Sequence, residues 1–189
     1  LKLCTVKISA EGTLLSSPQE IDEMYSEHDY LIPELFNMCN KICQEWQTDS
    51  DITVKGYEKL PDNLLTQVFS TLITTIPQQR ISDKYSLSNG SSSLFLWTVS
   101  GVNSNQIYYQ LFDSNNQILL TQNGIRLNQF GQQQTIKNVI LSHGGDYIVI
   151  WNDYNHEENS SDNLSGLKMQ IINGNTGQFT YEEQGMLIS

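Results

Sequence analysis

Three histidines, His28, His143 and His156, are the side chains best suited to move protons near neutral pH. They are scattered along the chain, and none has a cysteine or carboxylate at a spacing that nucleophilic catalysis uses. His143 lies in Leu141-Ser142-His143-Gly144, which reads as a turn. No Gly-rich phosphate loop, zinc-protease helix motif or Gly-x-Ser-x-Gly elbow occurs. No catalytic residue is therefore assigned and no cofactor is expected.

The densest set of possible ligands runs from Asp153 to Asp162, where Asp153, Glu157, Glu158 and Asp162 supply carboxylates. Oxygen ligands of this kind suit Ca²⁺, a hard ion. Their spacing does not follow an EF-hand. The four are weak calcium candidates, and the segment reads first as a solvated acidic loop. Cys4, Cys39 and Cys43 make an odd count. Cys39 and Cys43 lack the second pair that a zinc site needs. They read as small buried apolar residues, or as one disulfide joining Cys4 to Cys43 or Cys39 across adjacent strands, which would suit an oxidising compartment. Three Asn-x-Ser sequons, at Asn89, Asn159 and Asn163, fall in expected turns and loops where glycans are tolerated. Tyr108, Tyr109, Phe112, Tyr147 and Tyr154 could stack on sugars, but core packing is the plainer reading for most of them. Phe112 is assigned to the core and Tyr154 is left open.

The net charge of −11 excludes nucleic acid as an expected partner, because phosphate binding needs a basic footprint. It also disfavours anionic membrane surfaces. No apolar run approaches the roughly 20 residues of a membrane helix, so no membrane insertion is expected. The low charged share, 16%, is made up by Asn, Gln, Ser and Thr, which suit β edges and turns. The chain opens Leu1-Lys2-Leu3-Cys4, which reads as the start of a processed product or of a piece of a longer protein.

The elements that must carry these residues follow from an internal repeat. Trp46, Trp97 and Trp151 recur at intervals of roughly 50 residues. Ser93-Leu94-Phe95-Leu96 precedes Trp97, and Tyr147-Ile148-Val149-Ile150 precedes Trp151; Leu87-Ser88-Asn89-Gly90 and Leu141-Ser142-His143-Gly144 lie upstream. A second block, Tyr108-Tyr109-Gln110-Leu111-Phe112-Asp113, aligns with Lys168-Met169-Gln170-Ile171-Ile172-Asn173. Short β-rich runs between Asn, Gly, Ser and Asp turns are antiparallel strands. Each unit parses into four: one formed by the second block, one after it (Gln117 to Thr121, Gln178 to Tyr181), one ending at Leu87 or Leu141, and one ending at the tryptophan. The run from Gln19 to Asn40 reads as loop plus strand.

The expected fold is all-β, built of tandem four-stranded antiparallel repeats resembling β-propeller blades in a partial or open array. The units are 1–50 (degenerate), 51–105, 106–166 and a half unit 167–189. The hairpin from Leu167 to Met186 lacks its own later strands, which suggests donation to a neighbouring copy by strand addition.

The runs Gly144-Gly145-Asp146-Tyr147-Ile148-Val149-Ile150-Trp151 and Ile107-Tyr108-Tyr109-Gln110-Leu111-Phe112-Asp113 resemble a repeat of very large secreted or surface proteins of bacteria and ciliates. The Asn128 to Gln133 stretch is similar to that repeat's link. The resemblance covers residues 51 to 175 well and the first unit poorly. It implies an extracellular, structural or adhesive setting and supplies no catalytic residue. The expected function is a non-enzymatic structural or assembly protein at the cell surface or outside the cell. It would associate with itself or within a longer parent chain, with possible glycans. The alternative is a propeller-like module that binds carbohydrate or protein.

Overall fold

A computed structural model describes residues 2–5, 19–23, 35–38, 41–47, 51–59, 65–75, 80–101, 104–129, 133–154 and 166–188. The chain is all-β: these residues hold fourteen strands and no helix. Accordingly, no described helix is long and apolar enough to cross a membrane. Strands β1 (Lys2–Thr5) and β2 (Gln19–Glu23) pair with each other. A first four-stranded sheet follows, β3 (Leu35–Met38), β4 (Lys41–Gln47), β5 (Asp51–Lys59) and β6 (Leu65–Thr75), antiparallel in chain order. The described parts of the Gln19 to Asn40 run are thus strands.

The next strands are β7 (Arg80–Ser88), β8 (Ser92–Ser100), β9 (Asn105–Asp113) and β10 (Ile125–Arg126). They form a second antiparallel set, again in chain order. The last four are β11 (Gln133–Leu141), β12 (Tyr147–Tyr154), β13 (Gly166–Ile172) and β14 (Met186–Leu187), a third set of the same design. A single parallel pair, Gln133 with Asn105, joins these two sets into one mixed eight-stranded sheet.

The sheet folds over at that join. Between β8 and β12 lie β9 and β11, so a flat sheet would hold β8 and β12 about 14 Å apart. Instead the Tyr147 hydroxyl donates to the Ser92 carbonyl at 2.8 Å and lies 2.9 Å from its Oγ. The second and third sets therefore stack face to face. Leu94, Leu96, Ile107, Tyr109 and Leu111 meet Tyr147, Val149, Trp151 and Ile172 in one apolar core. Phe95, Trp97, Val99 and Phe112 point to the opposite face, into a second core with Ile52, Val54 and Ile73 of the first sheet. Strand β8 is apolar on both faces because both are covered.

Three expectations need correction. Gln117 to Thr121 is not a regular strand: it touches β9 through an isolated bridge between Phe112 and Ile118 before the chain returns as β10. The sheets are also cut differently from the sequence units. Each tryptophan strand pairs with the strand after it as well as the one before, Trp97 opposite Tyr108 and Trp151 opposite Lys168. Hydrogen bonding thus runs across the expected boundaries at 105/106 and 166/167. For the same reason the segment from Leu167 onward is not partnerless. β13 completes the third sheet against β12, and β14 pairs with β13. The basis for donating that hairpin is gone.

Candidate functional site

The second and third strand sets share the same local devices. Gln110 is buried on β9. Its carbonyl oxygen accepts from the Leu111 N–H at 2.9 Å and the Leu120 N–H at 3.2 Å, and its amide donates to the Thr121 carbonyl at 2.9 Å. The side chain takes the place of a strand partner for Leu120 and Thr121, just after the Leu119 N–H donates to the Leu111 carbonyl at 2.8 Å. Gln170 repeats this on β13, accepting from Ile171 and Tyr181 N–H groups at 3.0 Å and donating to Tyr181 and Glu182 carbonyls. The chain then returns at Gly124 and Gly185, each with φ of 70°. Each glycine sits under a tryptophan ring, Trp97 or Trp151.

The two copies differ at one pair of positions. In the second sheet Val99 and Tyr108 flank Trp97, with Tyr108 stacked on the indole at 6.0 Å. Asp153 and Lys168 hold the matching places around Trp151. Lys168 Nζ donates to Asp153 Oδ2 at 2.7 Å, and the two side chains are 7% and 4% exposed. Asn128 Nδ2 donates to the same oxygen at 2.7 Å. The network continues inward: Gln134 Nε2 donates to the Asn128 carbonyl at 3.3 Å, and Gln134 Oε1 accepts from the Ile107 N–H at 2.9 Å. Asp153 Oδ1 is buried without a hydrogen-bond partner. Burial lowers the Arg126 guanidinium pKa, while Tyr108 and Asp153 pull it upward. Both members of the ion pair are buried. The cluster positions charge at the edge of the sheet-to-sheet core, where every member of the ion pair is desolvated.

The cluster bears on the calcium expectation. Asp153 is not in a solvated loop. It lies within β12, buried and bonded to an ammonium group. Glu157, Glu158 and Asp162 lie outside the described residues. Among the described residues no group of three or more His, Cys, Asp and Glu side chains could hold a metal ion. Sequence reading missed Lys168, Asn128 and Gln134. The signal was present in the repeat itself, since an apolar pair becomes an acid and a base together.

The remaining candidates are dispersed. Asn89 turns β7 into β8; its carbonyl accepts from the Ser91 and Ser92 N–H groups at 2.8 and 2.7 Å. Its amide nitrogen, which a glycan would need, donates to the Gly145 carbonyl at 2.7 Å. A Cβ on Gly174 would stand 2.7 Å from that nitrogen. Asn89 thus ties two turns together. Asn159 and Asn163 lie outside the described residues, as does His156. His143 is exposed in the β11–β12 turn, as its sequence indicated. Cys4 stands opposite Glu20, and Cys43 opposite Phe36 and Gly56. Cys4 on β1 and Cys43 on β4 thus belong to different sheets, and Cys39 lies outside the described residues. Trp46 lies on β4 opposite Thr53, the register of the other two tryptophans. Of the aromatic set, Tyr109, Phe112 and Tyr147 are core, Tyr108 stacks on Trp97, and Tyr154 is 49% exposed.

No family model and no curated protein matches the chain. Among solved structures it is similar to an endo-arabinase from Bacteroides thetaiotaomicron, at 11% identity over 91% of this chain and 69% of that one, with a TM-score of 0.42. That neighbour is an enzyme, so the expectation of a non-enzymatic chain is withdrawn. At that TM-score the likeness carries no argument about the activity of this chain.

Proposed function

We propose that the chain is a propeller-like repeat module of a structural or adhesive protein that works outside the cell or on its surface. The observation that carries the reading is the recurrence of one building plan in the second and third sheets. Trp97 over Gly124 with the Gln110 clamp is matched by Trp151 over Gly185 with the Gln170 clamp. Each sheet buries a face only by stacking on the next, so rigidity grows with the number of units. A surface rich in amides and hydroxyls, with net charge of −11, keeps such a stack soluble without basic patches.

The test is cellular. An antibody raised against the folded chain is applied to intact cells of the source organism before and after permeabilisation. Labelling of intact cells that brief surface proteolysis removes is the expected result. Labelling that requires permeabilisation, with none in the medium, would sink the reading.

A further inference from the structure

Lys168, Asp153 and Asn128 gather an amine, a carboxylate and a carboxamide around one atom. Lys168 Nζ and Asn128 Nδ2 each donate to Asp153 Oδ2, both at 2.7 Å. The two nitrogens are therefore no farther apart than those two bonds laid end to end. The Asn128 carboxamide carbon is one covalent bond from Nδ2. Asn128 is 0% exposed, and Asp153 and Lys168 are buried with it. The three come from two strand sets: Asn128 lies just past β10, while Asp153 and Lys168 lie on β12 and β13. A buried ion pair is often no more stabilising than apolar residues of similar volume. The second set fills the matching places with Val99 and Tyr108. Stability alone thus does not account for the change to an acid and a base, whereas a reaction between amine and carboxamide requires both.

We infer that Lys168 and Asn128 are the two ends of an intramolecular amide cross-link, made by the folded chain itself with Asp153 as the proton carrier. A proton first passes from Lys168 Nζ to Asp153 Oδ2 along their hydrogen bond, which leaves a neutral amine as nucleophile. The amine lone pair attacks the Asn128 carboxamide carbon. The bond from that carbon to Nδ2 then breaks, as the proton on Oδ2 crosses the other 2.7 Å contact to Nδ2. Nζ gives up two protons in all. Both travel through Asp153 to the departing nitrogen, which leaves as ammonium, and Asp153 ends ionised as it began. One C–N bond forms, one breaks, and no oxidant or reductant is needed. The fold supplies the rate by holding the three groups together. Once the lysine charge is gone, the Arg126 guanidinium, within electrostatic reach of Asp153, balances the carboxylate. The link ties the second strand set to the third and closes the chain between Asn128 and Lys168 into a covalent loop. Such a loop restricts the unfolded state as a disulfide does, without an oxidising compartment. The inference goes beyond the functional reading and does not rest on it.

The experiment is mass spectrometry of the full chain, intact and after trypsin. The expected intact mass falls short of the sequence by one ammonia. The digest should hold a branched peptide joining Asn128 to Lys168, with no cleavage after Lys168. Asn128→Ala and Lys168→Arg should each restore the full mass. Asp153→Asn keeps the side-chain size but cannot carry the proton, so it should slow the reaction at least about a hundredfold. Separate linear peptides from a wild-type chain that is folded by circular dichroism and incubated for days overturn the inference. A loss of ammonia confined to an Asn-Gly pair such as Asn123-Gly124 overturns it as well. So does a link that forms as fast in Asp153→Asn. Lys168 joined to Asp153, with loss of water instead, overturns Asn128 as the acceptor.

Discussion

Trp97 closes directly over Gly124: a Cβ on that glycine would stand 2.5 Å from the indole Cη2 and 2.5 Å from the Tyr109 carbonyl oxygen. Gly185 stands to Trp151 in the same way, at 2.5 Å from Cη2 and 2.9 Å from the Met169 carbonyl. In both copies the return loop can reach β9 or β13 only if the residue beneath the ring has no side chain and tolerates a left-handed backbone.

Gly124→Ala and Gly185→Ala should therefore each destabilise the chain by about 2–4 kcal/mol, the sum of the left-handed backbone penalty and overpacking. Gly90→Ala is the control. It has φ of 90° but nothing within 4 Å, so only the backbone penalty of about 1–2 kcal/mol applies. Equilibrium denaturation in urea measures all three. A Gly124→Ala variant no worse than Gly90→Ala would show that the ring and loop separate freely.

Replacing Gln110 by Leu removes one acceptor and one donor that serve three backbone groups. The predicted loss is about 1–3 kcal/mol, because one buried and two partly buried hydrogen bonds are lost. Native-state hydrogen exchange should show early opening at Leu120, whose N–H donates to Gln110, while β8 stays protected. Equal loss of protection along β8 would contradict a local role.

At Asp153 and Lys168 the repeat supplies its own reference, Val99 and Tyr108. Asp153→Val alone should cost about 3–5 kcal/mol, since it strands a buried ammonium group. The double change Asp153→Val, Lys168→Tyr copies the second sheet and should recover most of that loss. Thermal unfolding of the two singles and the double completes the cycle. Additive losses would mean that the pair does not interact in the way its 2.7 Å separation implies.

Tyr109 is buried, its hydroxyl donating to the Gly177 carbonyl at 2.8 Å, and burial raises its pKa well above the usual phenol value. The folded state thus favours the neutral phenol. Its contribution is fully present below the unfolded value of about 10 and is lost as pH rises from there towards the raised folded value. Stability should fall between neutral pH and pH 11 partly through this group. Tyr109→Phe should flatten that fall while losing about 1 kcal/mol at pH 7 with the hydroxyl bond. An unchanged alkaline slope in the variant would assign the fall to other groups.

Sequence alone determined that the chain is β, where its principal strands run, and which residues recur. Tyr147 to Trp151 and Ser93 to Trp97 are β-branched and aromatic runs bounded by Gly and Asn turns, and such runs speak for themselves. The same was true of Gln110 and Gln170, which stand out as polar residues held in register inside apolar blocks. Tertiary structure decided the rest. Backbone donors and acceptors are alike at every residue, so alternation tells which face a side chain takes but not which strand lies beside it. That is why the sheets straddle the expected unit boundaries and the final hairpin proved to be already paired. Glycines under a tryptophan, an asparagine whose amide ties one turn to another, and a carboxylate buried against a lysine fifteen residues on become visible only when the ladders fold over one another. Their meaning lies in distances across the stack, which no linear spacing contains.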